Sequence, residues 1–113
     1  MRTSKELIEE LRAEASSAEF VVLAVGFPQE TKMVNSTLTD AEALDTLNTL
    51  VSQGGHPLGF IRCRCKSNSR VFEVRPLDEY ADDPVPGRVL GEICQRMGDE
   101  AERSYGVYAR RLG

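Results

Sequence analysis

Apolar and charged residues alternate on both sides of a short polar stretch between residues 60 and 75. Residues 60–66 and 70–75 each have the two-residue period of a half-buried β-strand, and residues 67–69 have the composition of a turn. A turn centred on Ser67 and Asn68 fixes the register, because a slip of one residue would expose the apolar row. The expected opposed pairs are Cys65 with Arg70, Cys63 with Phe72, Ile61 with Val74, Arg62 with Glu73, and Arg64 with Val71.

The first half of the chain shows a helix followed by a second hairpin. Thr3 and Glu6 have the spacing of a capping box, and an apolar stripe at helical spacing follows them. Residues 20–25 are apolar at every position, which predicts a central strand covered on both faces. After a loop of hairpin length, residues 32–37 are expected to return as its antiparallel partner.

Two further helices are predicted around the hairpin of residues 60–75. Thr39 and Glu42 form a second capping box, and Gly54 with Gly55 supplies a left-handed end for that helix. The last helix is expected to begin near Pro86, with apolar residues that recur on average about every 3.7 positions.

These elements predict a single α+β domain over residues 1–113, in the order α-β-β-α-β-β-α. We expect an antiparallel sheet of three to four strands, built from two hairpins, with the three helices mainly on one face. The core is expected to contain Leu7, Leu11, Val22, Leu23, Leu44, Leu47, Leu50, Ile61, Cys63, Phe72, Val74, Leu90, Ile93 and Met97.

The last helix is long for a domain of this size. Residues 87–111 would extend about 37 Å as one helix, whereas a compact chain of 113 residues has a diameter of roughly 34 Å. The helix therefore either breaks, with Gly98 as the expected position, or packs its far end on another subunit. We expect a homodimer whose interface includes Tyr105, Tyr108 and Leu112.

Composition and charge narrow the class of protein. The net charge is −4, and no apolar run approaches the roughly 20 residues that span a bilayer. The start of the chain lacks the apolar segment of a secretory signal, and three cysteines do not form a disulfide framework. We therefore expect a cytoplasmic protein with reduced thiols and no association with a membrane.

The candidate ligand-binding or partner-binding residues are mostly basic. Residues 60–75 carry five basic residues and one acidic residue, in a chain that is otherwise acidic. Arginines beside an aromatic side chain on a strand can bind RNA or single-stranded DNA through phosphate contacts and base stacking. The same residues can instead form a solvated face whose charges pair with Glu73 and with the acids of residues 78–83. The candidates are Phe60, Arg62, Arg64, Lys66, Arg70 and Arg75.

His56 is the only histidine, so a histidine-dependent enzyme would have to use it, although it lies in a Gly-Gly-His-Pro turn. Cys63, Cys65 and Cys94 lack the spacing of a zinc site, and no phosphate-binding loop or nucleophile motif is present. We expect no metal and no cofactor. The leading interpretation is a small homodimeric binding or accessory protein that acts by surface recognition, for which another protein is one candidate partner. The alternatives are RNA or single-stranded nucleic-acid binding through the hairpin of residues 60–75, and a small enzyme that uses His56 and nearby charged residues.

Overall fold

The computed structural model describes the backbone of residues 2–66, 69–79 and 88–106, and the side chains of residues 2–64, 71–79 and 91–104. The elements follow the predicted order. They are α1 (Ser4–Ala15), β1 (Phe20–Gly26), β2 (Thr31–Asn35), α2 (Asp40–Ser52), β3 (His56–Lys66), β4 (Ser69–Pro76) and α3 (Arg88–Ala101), and a short π-helix, Glu102–Gly106, continues from α3.

The four strands form one antiparallel sheet in the order β2-β1-β3-β4. The register of β3 and β4 is the predicted one, and all five expected pairs are present. The two hairpins are joined through β1 and β3, which pair along most of their length. β1 therefore has a strand on each side and lies inside the sheet, as its continuous apolar run predicts.

The two faces of the sheet are covered by different helices. Val21, Leu23 and Val25 pack in one apolar cluster with α1 and α2, whereas Val22 and Ala24 pack in a second cluster with α3. All five side chains are fully buried. α1 and α2 share one face, as expected, but α3 lies on the other, where the sequence did not predict it. The fold therefore has three layers: α1 with α2, the sheet, and α3. A helical stripe identifies a core-facing side but does not say which face of a sheet it will cover.

The helix ends have the predicted chemistry. Thr3 and Thr39 each accept a hydrogen bond from the backbone N–H three residues later, and the Glu6 and Glu42 carboxylates accept from the cap backbone. Gly54 follows the C-cap of α2, and its φ of +96° is a left-handed conformation that favours glycine. The N–H groups of Gly54 and Gly55 reach back to carbonyls of α2, which completes a Schellman motif.

A bulge near the start of β3 brings two backbones very close together. The pairing of β1 with β3 shifts between Ala24 and Val25, where Leu58 is the extra residue. A Cβ atom on Gly59 would lie 2.3 Å from the carbonyl oxygen of Arg75 and 2.7 Å from the Cα of Pro76. β4 can therefore pair here only with a residue that has no side chain.

Part of the predicted core is confirmed and part is less buried than expected. Leu44, Phe72 and Val74 are only partly buried at the margins of the two clusters, and the side chain of Leu90 lies outside the described residues. The other ten predicted residues are buried. α-Helical structure continues through Gly98 and changes only at Glu102, so the helix is not interrupted where the sequence suggested.

Within the described ranges, none of the helices combines the length and apolar character needed to cross a bilayer.

We predict opposite effects for two glycine-to-alanine substitutions. Gly59→Ala should lower the free energy of unfolding by roughly 3 kcal/mol or prevent folding, because its Cβ meets backbone that cannot move aside. On α3, the Cβ added by Gly98→Ala would meet no described atom within 4 Å outside its own turn of helix, so this substitution should raise the free energy of unfolding by roughly 0.5–1 kcal/mol. Urea unfolding monitored by circular dichroism measures both. A mild effect of Gly59→Ala would contradict the close approach of β3 and β4.

We also predict that the cap of α2 is sensitive to acid. Hydrogen bonds from the side chain and the backbone of Thr39 lower the pKa of Glu42 below its usual value of 4.5. A pKa lowered in the folded state contributes stability that is present above 4.5 and is lost as the pH falls through the lowered value. An NMR titration should show this low pKa, and Thr39→Ala should return it towards 4.5. An unchanged pKa in Thr39→Ala would contradict the capping box as its cause.

Candidate functional site

The predicted basic face is turned towards α1. Phe60, Arg62 and Arg64 alternate with the buried Ile61 and Cys63 along β3. Phe60 belongs to the cluster that packs under α1 and α2, so the arginine row follows this same face of the sheet. α1 therefore covers part of this arginine row, and only the remainder can face solvent.

Two of the candidate arginines are held in an ion-pair chain between α1 and the sheet. Arg75 Nη2 lies 2.5 Å from Glu10 Oε1 and 2.6 Å from Glu14 Oε1. Arg62 Nε lies 3.3 Å from Glu14 Oε2 without hydrogen-bond geometry, while its Nη2 donates to Ser17 Oγ at 2.8 Å. Glu14 is thus shared by both arginines, and its side chain is only 15% exposed.

The chain continues beyond Arg75 towards the start of α1. Glu10 also pairs with Arg2, whose Nε lies 3.5 Å from Glu79 Oε1. Arg75 Nη1 lies 3.7 Å from Asp78 Oδ1. Positive and negative groups therefore alternate along this flank of α1, and the arginines here are neutralised within the molecule. Such partly buried pairs fix the position of a helix more firmly than exposed ones.

Phe60 is fully buried beneath the guanidinium group of Arg75. The Arg75 Cζ atom lies 5.1 Å from the centre of the Phe60 ring, within the range of a cation–π interaction. The ring therefore offers no exposed face on which a base could stack.

The remaining basic candidates lie nearer the turn. Arg64 is 43% exposed and pairs with Glu73 at 3.1 Å, although Arg62 is the residue directly opposite Glu73. The side chains of Lys66 and Arg70 lie outside the described residues. Arg70 is the register partner of Cys65, so its position falls in the other row of the hairpin from Arg62 and Arg64. Of the four candidates whose side chains are described, Phe60, Arg62 and Arg75 are therefore engaged beneath α1, and Arg64 is the one that is largely exposed.

His56 lies at the rim of a cleft of about 350 Å³ where α1, α2, β3 and the end of β4 meet. The cleft has apolar walls that include Leu7 and Leu77, and Arg2 and Glu79 lie among its polar groups. His56 is exposed, and no hydrogen bond or ion pair joins its side chain to another described residue. The geometry thus gives His56 a cleft, but it does not supply a second group positioned to orient the imidazole.

The cysteines do not form a ligand set in the part of the chain described. Cys63 is fully buried, Cys94 is partly buried, and neither is in a disulfide. The side chain of Cys65 is not among those described. Among the residues described, no group of three or more His, Cys, Asp or Glu is arranged to hold a metal ion.

A groove of about 460 Å³ lies between α1 and α2, on the side of these helices that faces away from the sheet. Its floor is apolar and consists of Ile8, Ala41 and Leu44. Leu44 is only partly buried, and Ala41 is exposed. Lys5 and Glu9 line the α1 side, and both are exposed. The open apolar surface here comes from Ala41 and the edge of Leu44, because Ile8 is only 5% exposed and belongs to the core cluster under the helices.

Arg12 closes one end of this groove and holds its two walls together. Its Nε lies 2.5 Å from Asp40 Oδ1, and its other nitrogens donate to the carbonyl oxygens of Ser36 and Leu38. The guanidinium group therefore ties α1 to the first residue of α2 and to the loop before it. This arrangement pre-forms the groove, since both walls are attached to the same side chain.

Acidic residues outnumber basic ones on α1 and α2 as a whole, whereas the charged residues that line the groove are balanced: Lys5 and Arg12 beside Glu9 and Asp40. α1 and α2 together contain seven acidic and two basic residues. Because Glu10 and Glu14 are paired with arginines outside these helices, an excess of three negative charges remains. Asp45 and Glu42 are exposed on α2, which has no basic residue. The excess therefore lies on Glu6, Glu42 and Asp45, which belong to the two helices but do not line the groove.

The expected dimer contacts cannot be placed on this surface. The side chain of Tyr105 and all of Tyr108 and Leu112 lie outside the described residues. The homodimer therefore remains a prediction.

Several residues that organise the site were not anticipated from the sequence. Arg96 of α3 donates to the carbonyl oxygen of Glu30 at 2.8 Å and so ties the β1–β2 loop to the helix. Arg12 does the same for the loop before α2. One signal in the sequence could have predicted the ion pairs between α1 and the sheet. Glu10 and Glu14 are four residues apart, so they lie on the same side of the helix, and their negative charge is complementary to the arginine row.

We predict that the shared carboxylate is structurally important and the exposed one is not. Glu14→Gln should lower the free energy of unfolding by about 1–3 kcal/mol, because it leaves Arg62 and Arg75 without their common counter-charge. Glu73→Gln removes an exposed ion pair with Arg64 and should change the free energy of unfolding by less than about 0.5 kcal/mol. Equal effects in urea unfolding would contradict the difference in burial that separates the two pairs.

The chain matches no protein-family model, and no curated protein or solved structure shows significant similarity to it.

Proposed function

We propose that this protein is a small, homodimeric accessory protein of the cytoplasm that acts by surface recognition, and that the α1–α2 groove is its recognition surface. The observation that carries the proposal is a groove between two helices of net negative charge, with Ala41 and the edge of Leu44 as its open apolar surface. The absence of Cys63 and Cys94 from any disulfide is consistent with a reducing compartment.

The partner that fits this surface is a basic amphipathic segment of a protein. Two neighbouring helices with an apolar strip between them can receive the apolar side chains of a third helix. The negative excess on α1 and α2 favours lysine or arginine on the flanks of that segment and disfavours acidic ones. Because Arg12 pre-forms the groove, binding requires little rearrangement of the walls.

The two alternatives have less support from the geometry. Nucleic-acid binding would have to proceed with Arg62, Arg75 and Phe60 already engaged within the molecule. An enzyme would have to act through His56, for which no orienting partner is present among the described residues. The groove requires neither a rearrangement of ion pairs nor an additional group.

We predict that the groove binds a synthetic amphipathic helix of leucine and lysine in preference to matched controls. On adding the peptide, NMR shift changes should be largest for the amides of residues 5–12 and 40–45, and the affinity should fall as salt rises. A leucine–glutamate peptide of the same pattern should bind much more weakly. Shift changes centred on any other surface would contradict the proposal.

Substitution in the groove tests the same site. Leu44→Lys should lower the affinity for the leucine–lysine peptide roughly 10-fold or more, because the substitution places a charge on the apolar floor of the groove. Gln53→Lys adds the same charge at the exposed end of α2, outside the groove, and should have little effect. Equal binding by both variants would show that the groove is not the site.

A further inference from the structure

The outer edge of β4 is open to another strand. β4 and β2 form the two edges of the sheet, and no strand among the described residues pairs with the far side of β4. Val71 and Glu73 of β4 are exposed on one face, and Phe72 and Val74 are only partly buried on the other. β2 is different, because the exposed Lys32 lies near its middle and a lysine on an edge strand opposes the addition of another strand. β4 contains no lysine.

The hydrogen bonds between β3 and β4 show which backbone groups of β4 point outward. The N–H of Leu77 donates to the carbonyl oxygen of Leu58 at 3.0 Å. Because alternate residues of an antiparallel strand bond to opposite neighbours, the odd-numbered residues of β4 bond to β3. The N–H and carbonyl groups of Phe72 and Val74 therefore point away from β3. Pro76 falls in the same outward set, where its missing N–H leaves the ladder with β3 intact.

We propose that β4 pairs in antiparallel fashion with β4 of a second copy, about a two-fold axis at Val74, so that two four-stranded sheets become one continuous sheet. The inference rests on the proposed function in one respect, the homodimer, to which it gives an interface. In this register Val74 lies opposite Val74, and Phe72 lies opposite Pro76. The outward N–H groups of Val74 and Phe72 then donate to the carbonyl oxygens of Val74 and Pro76 of the other protomer.

Charge complementarity selects this register. Two-fold symmetry allows the axis to pass through Phe72, Glu73 or Val74 near the middle of the strand. An axis at Glu73 would place the two Glu73 carboxylates opposite each other, which destabilises strand pairing. An axis at Phe72 would oppose Glu73 to the apolar Val71. With the axis at Val74, Glu73 lies opposite Arg75 of the other protomer on both sides of the axis, and opposite charges at such positions stabilise the pairing.

Both charged groups can take part in this contact. Glu73 is 49% exposed, and its ion pair with Arg64 is an exposed one. Arg75 is anchored to α1 through Nη2, whereas its Nη1 lies 3.7 Å from Asp78 Oδ1, beyond hydrogen-bonding distance. The guanidinium group is thus held in place by α1, while Nη1 can donate to a carboxylate of the second copy.

The pairing also sets how the two recognition grooves are arranged. A two-fold axis perpendicular to the sheet keeps α1 and α2 of both protomers on the same side of the continuous sheet. The dimer therefore presents both α1–α2 grooves in one direction, so a partner with two amphipathic segments can bind more tightly than a partner with one.

Disulfide formation across the axis tests the proposal directly. In a background with Cys65→Ser and Cys94→Ser, the remaining Cys63 is fully buried. Val74→Cys should then give a covalent dimer on mild oxidation, because the Cα atoms of a hydrogen-bonded antiparallel pair lie about 5.5 Å apart, within the range of a disulfide. Val71→Cys should not, although its position is more exposed, because its two copies would lie more than about 12 Å apart.

Charge reversal on β4 provides a second arm that leaves the core untouched. Glu73→Lys should raise the dimer dissociation constant, measured by sedimentation velocity, at least about 10-fold, because it places two like-charge contacts beside the axis. Asp45→Lys makes the same change in charge at an exposed position of α2 and should leave the dimer intact.

The outcomes separate this inference from the proposed function. Absence of a Val74 crosslink from a protein that remains dimeric, or a dimer that Glu73→Lys leaves unchanged, would overturn the inference but not the homodimer. Crosslinking through Val71→Cys or Phe72→Cys in place of Val74→Cys would also overturn it. A strictly monomeric parent at high micromolar concentration would overturn both the inference and the homodimer, whereas binding of the leucine–lysine peptide tests the groove independently.

Discussion

The fold depends on one strand that is apolar on both of its faces. Val21, Leu23 and Val25 point to one side of the sheet and Val22 and Ala24 to the other, and none is exposed. Burial of each valine or leucine contributes roughly 1.5–3 kcal/mol. β1 therefore requires a layer of structure on each face, which α1 and α2 supply on one side and α3 on the other.

The position of the charged residues follows from this layering. α1 covers the side of the sheet on which the arginine row of β3 and β4 lies, so Arg62 and Arg75 approach the helix instead of bulk water. Glu10 and Glu14 compensate their charge, so the part of the row that holds Arg62 and Arg75 attaches the helix to the sheet. The surface left open by the fold is the outer side of α1 and α2, where the groove lies.

Much of the fold could be predicted because its signals are local. The register of β3 and β4 follows from a two-residue period and a turn, and the caps at Thr3 and Thr39 follow from a spacing of three residues. The layer occupied by α3 could not be predicted, because an amphipathic stripe is the same whichever face of the sheet it covers. The burial of Leu44 was overestimated for a related reason: it lies at the edge of its stripe.

The candidate site was less accessible from the sequence than the fold. The groove is formed by Ile8 and Leu44, which are far apart in the chain, and neither has a motif around it. The partner of Arg62 was misjudged because a cross-strand neighbour such as Glu73 can be read from the register, whereas Glu14 on a packed helix cannot. Arg75 does reach Asp78, one of the expected acids, but its closer partners on α1 were missed for the same reason. His56 was singled out because it is the only histidine in the sequence, but its cleft depends on four elements that meet in space.

The three-layer arrangement around β1 is tested most directly by nuclear Overhauser effects between methyl groups in the full chain. The methyl groups of Val22 should show contacts with those of Ile93 and Met97 in α3, and the methyl groups of Leu23 with those of Leu11 and Leu47 in α1 and α2. Contacts from Val22 to α1 or α2, or no contact between β1 and α3, would contradict this account.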